Sequence, residues 1–368
     1  MSRIALVSPY ALSVPGGVQE QVLAMSRELA RRGYEVLVVA PDAKDHATYD
    51  TPARVARFGA RLSLPANGSK APLTLSPTAA VAARRDIEGF RPDVVHYHEP
   101  FAPLIGWSSL WRHRTPAVAT LHRSGVGPAL RLTRPLLAAL ATRLDVAAAV
   151  SPAAAATWSG AAPLAPVVLF NGFEAERFRT FAREVPEEVR VIFVGRLEER
   201  KGAGDVIRAV QIHNATHPAA PWRLSVVGDG AQRAELEALA GNDERISFLG
   251  AVSDAHKRDL LRRSSVAVAA STYGESFGLV VLEPMASEVP VVASDIEGYR
   301  DAAGGHATLY RAGDPAALSE AIAVALATVT PESIAAASAH AANWSMSHLM
   351  DLYEGLYERA RGEFTRVQ

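Results

Sequence analysis

Short apolar runs alternate with longer amphipathic stretches along the first half of the chain. The runs contain little polar alternation, which is typical of strands buried on both faces of a sheet. They are Ile4–Ser8, Glu35–Ala40, Asp93–His98, Ala117–Leu121 and Ala147–Ser151. Helical periodicity fills the intervals between them, as in Gln19–Arg32 and Ala129–Arg143. Strands and helices that alternate in this way predict a doubly wound parallel sheet.

The pattern pauses near Pro163–Asn171 and then restarts. A second series of buried strands is predicted over Val189–Val194, Arg223–Val227, Ile246–Leu249, Val266–Ala270 and Val289–Ser294, with helices over Ala203–Asn214, Gln232–Ala240 and Asp254–Arg263. Asn171-Gly172 and the segment up to Glu188 are expected to link the two series. The chain is therefore predicted to be an α/β protein with two Rossmann-like, doubly wound domains, residues 1–171 and 172–368, that face each other across a cleft. The final helix, Ser347–Arg361, is expected to cross back to the first domain.

Composition fits this interpretation. A length of 368 residues, 49% of them hydrophobic, is enough for two domains with separate cores. The chain has no cysteine, which excludes disulfides and thiolate metal sites and fits a reducing compartment. The apolar run Ile4–Val7 is too short for the core of a signal peptide, and no run of about 18 apolar residues predicts a membrane span. We therefore expect a cytoplasmic protein.

Charge is distributed unevenly, although the formal net charge is only −1. The overall balance argues against a general nucleic-acid binder. Residues 1–171 carry 18 Lys and Arg against 11 Asp and Glu, whereas the remainder carries 20 against 28. The basic first half could face an anionic surface such as a membrane, or it could be a solvated arginine-rich face, and charge alone allows both.

Two loops after predicted strands could bind phosphate. Gly16-Gly17 precedes the first helix, where backbone N–H groups could approach a phosphate at the positive helix end, although most such pairs only form a turn. There is no G-x-G-x-x-G, so a dinucleotide oxidoreductase is not indicated. Arg196 and Lys201 follow the strand Val189–Val194, where two cations could neutralise a diphosphate or form ordinary surface salt bridges.

The segment Tyr273–Glu283 is the sharpest chemical signal. Glu275 precedes a helix that is predicted to begin near Gly278, and Glu283 lies a turn or more inside that helix. A helix N-terminus offers free N–H groups and positive potential to phosphate, and carboxylates accept hydrogen bonds from sugar hydroxyls. Glu283 is surrounded by apolar helix positions and therefore needs a partner. We interpret this segment as a binding site.

Histidines lie at the ends of two predicted strands. His122 follows Ala117–Leu121, at the sheet edge where α/β folds bind ligands. The segment His96–Glu99 invites a metal-binding interpretation, but alternation directs Tyr97 to the opposite face and no further ligand cluster is evident. We interpret that segment as structural and predict no metal site.

With these motifs, the chain resembles the retaining glycosyltransferases of family four, which have the two-domain GT-B fold. The resemblance covers essentially the whole sequence and rests on the block Glu275–Glu283 and on Gly195-Arg196 with Lys201. Within the family, the chain is similar to the phosphatidylinositol α-mannosyltransferases, which use GDP-mannose. The matching stretches are Pro9-Tyr10, Val14–Gln19, Asn67-Gly68-Ser69, His98-Glu99-Pro100, Val118–Thr120 with His122, Asn171-Gly172 and Gly274–Gly278.

The resemblance implies a role for each matching residue. Arg196 and Lys201 would hold the diphosphate, and His122 and Glu275 would contact the sugar. The donor would also be bound by Gly16 and Ser276, Phe277, Gly278, Leu279 and Val280 at its phosphates, by Glu283 at its ribose, and by Val252, Asp254 and Lys257 near its base. Tyr10 and Gln19 would line the acceptor site. No metal or other cofactor is implied, because the two cations would take its place.

The implied reaction moves a hexose, mannose from GDP-mannose in the first instance, onto phosphatidylinositol at the inner face of the membrane, with retention of anomeric configuration. This chain departs from the family pattern at Ser13, where an acidic residue is usual, at Gly228-Asp229-Gly230, where an arginine is usual, and at Val81–Arg85, where a denser basic run is usual. These departures leave open a UDP-sugar donor or another acceptor. A sugar-nucleotide-binding protein without activity is the alternative from a different class.

Overall fold

The structure of the chain, a computed structural model, describes residues 2–14, 16–42, 44, 46–66, 69–112, 115–123, 128–159, 165–179, 184, 186–275 and 278–367. Several residues of the motifs above lie outside these ranges, namely Pro15, Asn67-Gly68, Pro163, Ser276 and Phe277. The chain divides into two compact units, which are described separately. Residues up to Gly172 and those from Met346 onward form the first unit, and Phe173–Ser345 form the second.

The first unit contains a parallel sheet and a small hairpin. Its strands, within the described residues, are β1 (Arg3–Val7), β2 (Glu35–Pro41), β3 (Arg54–Phe58), β4 (Leu62–Ala66), β5 (Ser69–Leu73), β6 (Val94–His98), β7 (Ala117–Leu121), β8 (Val146–Ala149) and β9 (Val167–Val168). The sheet has the order β3-β2-β1-β6-β7-β8-β9, and β4 pairs with β5 in an antiparallel hairpin. The parallel pairing of β1 with both β2 and β6 places the carboxyl ends of these strands at one edge of the sheet.

Helices cover both faces of this sheet. They include α1 (Gly17–Arg31), α2 (Pro77–Phe90), α3 (Ile105–Arg112), α4 (Pro128–Ala141) and α5 (Pro152–Ser159). Strand β1 shows why its sequence is continuously apolar: Ala5 and Val7 join the core on one face, and Ile4 and Leu6 join the core on the other. Successive side chains of the strand thus pack against opposite helical layers, so each of these positions is apolar.

The second unit repeats this design. Its elements are α6 (Ala175–Phe178), β10 (Arg190–Val194), α7 (Ala203–Thr216), β11 (Arg223–Val227), α8 (Arg233–Ala240), β12 (Ile246–Gly250), α9 (Asp254–Arg262), β13 (Val266–Ala269), α10 (Leu279–Ala286), β14 (Val291–Ser294), α11 (Glu297–Ala303), β15 (Thr308–Tyr310), α12 (Pro315–Thr328) and α13 (Pro331–Ala342). The strands form a parallel sheet in the order β12-β11-β10-β13-β14-β15. Strands β10, β13 and β14 are therefore neighbours, although they are distant in sequence.

The final helix, α14 (Met346–Val367), belongs to the first unit. Leu349, Tyr353 and Tyr357 are buried in the same core as α1 and β1. The Arg32 guanidinium, just after α1, binds the carboxylates of Asp351 at 2.7 Å and Glu354 at 2.8 Å. Apolar burial and a charged contact at its edge thus attach α14 to the first sheet.

The fold class predicted from the sequence is confirmed: each unit is an α/β domain on a parallel, doubly wound sheet. Strands β7 and β11 have the predicted bounds. Helix α1 begins at Gly17 rather than Gln19, because the N–H of Glu20 already bonds to the carbonyl of Gly16. Strand β14 begins at Val291 rather than Val289, since Pro290 has no N–H for the ladder.

Within the described residues, none of the helices taken singly has both the length and the apolar composition of a membrane span. Helices α12 and α13 satisfy these criteria only as a pair, and the pair is bent by 110°.

Candidate active site

The loop after β10 is held by close backbone contacts at two glycines. Gly228 has a φ of 130°, and a Cβ there would lie 1.9 Å from the carbonyl oxygen of Gly195. Gly202 has a φ of 71°, and a Cβ there would lie 2.1 Å from the carbonyl oxygen of Ala270. Only glycine fits at either position. The segment 195–202, which contains the two predicted phosphate-binding cations, is thereby fixed at the carboxyl edge of the second sheet.

Glu275 is the centre of a charged cluster in the second unit. Its Oε1 accepts hydrogen bonds from Nη1 of Arg200 at 2.8 Å, from the Lys201 ammonium, and from Oγ of Ser271 at 3.3 Å. The side chains of Lys201 and Glu275 are only 13% and 14% exposed. Tyr299 is buried and donates its hydroxyl to Oγ of Ser271 at 2.8 Å, so Glu275 is oriented from both sides.

Arg196 is not among the side chains that contact Glu275 directly. Its side chain is 59% exposed, and its Nη1 lies 2.7 Å from Oε1 of Glu198. Glu198 also pairs with Arg200 at 3.5 Å, so it connects Arg196 to the cluster around Glu275. The sequence prediction named Arg196 and Lys201 but missed Arg200. Its position directly before Lys201 in a charged loop was the available signal.

Helix α10 begins four residues after Glu275. Gly278 precedes the helix with a φ of 72°, and a Cβ there would lie 2.7 Å from the Cβ of Ala302, so this position also requires glycine. Gly278 has no side chain to cap the first turn, and its carbonyl accepts hydrogen bonds from the N–H groups of Val281 and Leu282, not from those of the two residues before them. The backbone N–H groups of Leu279 and Val280 are therefore suited to an anion. Ser276 and Phe277 lie outside the described residues.

Glu283, on α10, has the partner that its apolar surroundings require. Nζ of Lys257 lies 2.8 and 2.9 Å from the two carboxylate oxygens of Glu283 and 3.5 Å from Asp254. Burial lowers the pKa of the Lys257 ammonium, but the carboxylates of Glu283 and Asp254 raise it by more, so the net pKa is above its ordinary value. Val252 is partly buried against the same core. Four predicted donor-binding residues thus belong to one region of the second unit.

A second constellation lies at the carboxyl edge of the first sheet. His98 ends β6 and His122 follows β7, and Nδ1 of His98 lies 3.1 Å from Nε2 of His122. Glu99 is buried, and its Oε1 accepts hydrogen bonds from the backbone N–H groups of His122 and Arg123. Burial raises the pKa of Glu99 to about 7, although these two N–H groups act in the opposite direction.

Tyr10 lies in the loop after β1, close to this constellation. Burial raises the pKa of its hydroxyl, and the charge of Glu99 raises it further. Gln19, on α1, is buried, and its Nε2 donates to the carbonyl of Val14 at 2.9 Å. A Cβ at Gly16 would lie 2.6 Å from Oε1 of Gln19. Gln19 therefore shapes the loop that joins Tyr10 to Gly16.

The interpretation of His96–Glu99 as structural describes only its first half. Nε2 of His96 lies 2.7 Å from Oγ1 of Thr120 and its Nδ1 lies 2.9 Å from the hydroxyl of Tyr357, while Tyr97 packs in the core of the opposite face. His98 and the residue after it instead contact His122. This contact was not predicted from the sequence. The available signal was that His98-Glu99-Pro100 and the stretch ending at His122 both match the same family. Within the described ranges, no group of three or more His, Asp or Glu side chains is arranged to hold a metal ion.

Comparisons with known proteins identify the family of the chain. Residues 15–177 match the family described as Glycosyltransferase Family 4, and residues 188–328 match Glycosyl transferases group 1. The chain is 34% identical over 368 residues to the phosphatidyl-myo-inositol mannosyltransferase of Mycobacterium leprae, with 96% of each chain covered. The chain belongs to glycosyltransferase family 4. The family resemblance carried by its motifs is thus confirmed.

Solved structures share the fold of this family 4 glycosyltransferase. A glycosyltransferase from Rickettsia africae aligns with a TM-score of 0.72 at 16% identity and covers 98% of both chains. Anabaena HepE in complex with UDP aligns with a TM-score of 0.69 at 18% identity, over 97% of this chain and all of that one.

The predicted site residues of this glycosyltransferase thus fall into separate groups. In the second unit, Lys201 contacts Glu275, and Lys257 contacts Glu283, whereas Arg196 reaches the first pair only through intermediate side chains.

Proposed function

We propose that this glycosyltransferase transfers mannose from GDP-mannose to phosphatidylinositol with retention of anomeric configuration. The observation that carries the proposal is the convergence of Arg200 and Lys201 on Glu275, four residues before α10, whose N-terminus has no side-chain cap. Cations, a carboxylate and free N–H groups together suit a sugar attached to a diphosphate. The mannosyltransferase of M. leprae supports the choice of sugar and acceptor.

The diphosphate would be held where negative charge grows during the reaction. As the glycosidic bond breaks, charge accumulates on the β-phosphate, and donors already in place stabilise it more in the transition state than in the ground state. The Lys201 ammonium has three N–H donors, so its contact with Glu275 leaves others for phosphate. Arg196, exposed in the same loop, would add a forked guanidinium contact. Glu275 would accept hydrogen bonds from sugar hydroxyls.

The nucleoside would lie over α9 and α10. An ionised carboxylate offers about four lone-pair sites. Glu283 can therefore keep its two contacts with Lys257 and still accept hydrogen bonds from ribose hydroxyls. Val252 and Asp254 would lie near the base.

Retention would follow from attack on the same face of the sugar from which the diphosphate leaves, with a donor phosphate oxygen taking the acceptor's proton. His122 would contact the sugar close to the reacting carbon. A mechanism through the donor's own phosphate needs neither a metal ion nor a covalent sugar–enzyme intermediate.

A carboxylate from a neighbouring loop lies next to Ser13, the position where an acidic residue is usual in the family. Oγ of Ser13 lies 3.0 Å from Oδ2 of Asp42, and Nη1 of Arg61 lies 3.3 Å from the same hydroxyl. Asp42 has a φ of 82°, which is uncommon for a residue with a side chain. Asp42 would therefore supply, from the loop after β2, the carboxylate that other family members have at the serine position, and would bind hydroxyls of the inositol ring.

A surface of the first unit suits an anionic bilayer. Val81, Trp111 and Leu136 are 37%, 46% and 42% exposed on α2, α3 and α4. They border a groove that also includes Trp107 and Arg112. Apolar and tryptophan side chains next to arginines are typical of surfaces that bind the membrane interface.

Vesicle flotation tests this membrane surface. Binding to vesicles of phosphatidylglycerol and phosphatidylcholine should exceed binding to pure phosphatidylcholine and should weaken as salt rises, because salt screens the arginine contacts. Trp111→Glu should reduce flotation, whereas Val324→Glu, which changes a similarly exposed residue of the second unit (45%), should not. Equal flotation on both vesicle types would contradict the proposed location.

A UDP-sugar transferase with another acceptor is the second candidate. The segment Gly228-Asp229-Gly230 favours this candidate, since family members that bind guanine have an arginine there. Close backbone contacts leave no room for a side chain at Gly228 or at Gly230. Calorimetry with GDP, UDP and their sugars separates the two candidates. GDP-mannose should bind most tightly and mannosylate phosphatidylinositol in mixed micelles, with an α-linked product by NMR. Binding and turnover with UDP-glucose alone would overturn the donor assignment, and tight binding without turnover would indicate a non-catalytic protein.

A further inference from the structure

We propose that His98 is a positioning residue that fixes the tautomer of His122, so that Nδ1 of His122 carries the ring proton and donates it in a hydrogen bond to the donor sugar. The contact with the sugar rests on the proposed function. The tautomer itself rests only on the geometry of the first unit.

The two rings share one short contact. Nδ1 of His98 lies 3.1 Å from Nε2 of His122, the ring centroids are 5.3 Å apart, and the ring planes differ by 25°. Nearly coplanar rings at this separation are the arrangement expected when two ring nitrogens share a proton. His96 stacks on His98 with centroids 4.6 Å apart and planes 19° apart, which restrains rotation of the His98 ring.

Both histidines are neutral at physiological pH. Burial lowers the pKa of His122 to about 3, and burial together with the neighbouring histidines lowers the pKa of His98 well below its ordinary value. A neutral imidazole has one N–H donor and one acceptor nitrogen. The pair therefore has two arrangements: either His98 donates from Nδ1 to Nε2 of His122, or His122 donates from Nε2 to Nδ1 of His98.

The environment of His98 favours the first arrangement. His98 is 1% exposed, and its Nε2 has no hydrogen-bond partner among the described residues. If His122 were the donor, the proton of His98 would have to lie on that Nε2, which would bury an N–H without an acceptor. Orphaned buried N–H groups are rarer than buried acceptors that lack a donor. The network thus places the His98 proton on Nδ1, where it has a partner.

The selected tautomer matters because, in the proposed function, a sugar oxygen accepts a hydrogen bond from this ring. In the opposite tautomer, a nitrogen lone pair would face the oxygen, and the hydrogen bond would be lost. One such bond is worth about a tenfold change in rate if it forms in the transition state. His98 would therefore influence kcat without touching the substrate.

Two variants of His98 separate positioning from packing. His98→Asn keeps an amide N–H near the place of Nδ1, whereas His98→Leu fills similar space with no donor. We expect His98→Leu to lower kcat about tenfold with little change in KM, and His98→Asn to restore most of the loss. His217→Leu, a change at an exposed histidine of the second unit, serves as the matched control and should leave kcat unchanged.

The tautomer is read directly from ¹⁵N shifts of His122 in histidine-labelled enzyme without ligand, assigned by comparison with His122→Phe. Protonated Nδ1 and bare Nε2 in the wild type, with loss of this preference in His98→Leu, would support the proposal. Protonated Nε2 in the wild type would overturn it, whichever donor sugar the enzyme uses. The expected tautomer with unchanged kcat in His98→Leu would overturn the positioning role. If His98→Leu fails to fold, the wild-type shifts and the kcat of His98→Asn decide.

Discussion

Removing Lys201 should damage catalysis far more than stability. In Lys201→Ala, Oε1 of Glu275 keeps its contacts with Arg200 at 2.8 Å and Ser271 at 3.3 Å, so the carboxylate still has a cationic partner. The free energy of unfolding should therefore fall by only about 1–2 kcal/mol. A lost contact to charge that develops in the transition state costs about 2.7–4 kcal/mol, or roughly a hundredfold to a thousandfold in kcat.

Arg196→Ala should show the same separation more clearly. The Arg196 side chain is 59% exposed and pairs with Glu198, and exposed ion pairs contribute about 0–1 kcal/mol to stability. If its guanidinium binds the diphosphate, kcat should nevertheless fall about a hundredfold. Arg196→Lys should rescue only part of this loss, because a single ammonium cannot form the forked contact.

Steady-state kinetics with GDP-mannose and urea unfolding on the same preparations measure both quantities. Arg208→Ala is the matched control, because Arg208 is 52% exposed and forms a comparable surface pair with Asp205 at 3.4 Å, on α7. It should change neither kcat nor stability by a measurable amount. Near-normal kcat in both Lys201→Ala and Arg196→Ala would refute the assignment of this loop to the diphosphate.

Two further predictions concern buried ionisable side chains. His98 is neutral in the folded state and takes up a proton on unfolding below about pH 6.5. The free energy of unfolding should therefore rise with pH between about 4.5 and 6. This rise should be about 1.4 kcal/mol per pH unit steeper in the wild type than in His98→Asn. Equal slopes in urea titrations would contradict this. Lys257→Met removes the ammonium from both oxygens of Glu283 and should lower the free energy of unfolding by about 2 kcal/mol or more, whereas Glu283→Gln should cost less. Thermal melts and GDP titrations of the two variants check this, and equal melting temperatures would contradict it.

The strands that were predictable from the sequence are those buried on both faces. Strand β7 consists of small and apolar residues throughout, all of them buried, and its predicted bounds are correct. Strand β3 was not predicted, because it contains Arg54 and Arg57 and lies at the sheet edge, where each residue stays partly or fully exposed. An apolar run indicates that a segment is buried, not that it forms strand hydrogen bonds. A partly exposed edge strand is therefore hard to recognise from its sequence.

The candidate site was predictable only where its residues are close in sequence. Glu275 and Glu283 stand out within one segment, whereas Arg200 and Tyr299 lie far from it in sequence and were missed. They meet at Glu275 and Ser271 because β10, β13 and β14 are adjacent in the sheet. Sheet order depends on the packing of whole strands and helices, so one sequence does not specify which distant side chains become neighbours.

The return of α14 to the first unit also affects the order in which the protein folds during synthesis. Domains generally fold as units, beginning with the N-terminal one. Here the first unit remains incomplete until Leu349, Tyr353 and Tyr357 have left the ribosome, whereas Phe173–Ser345 is continuous and can fold earlier. Until then, the apolar surface that α14 covers stays open on the nascent chain. The first unit therefore completes its core last, although most of it is translated first.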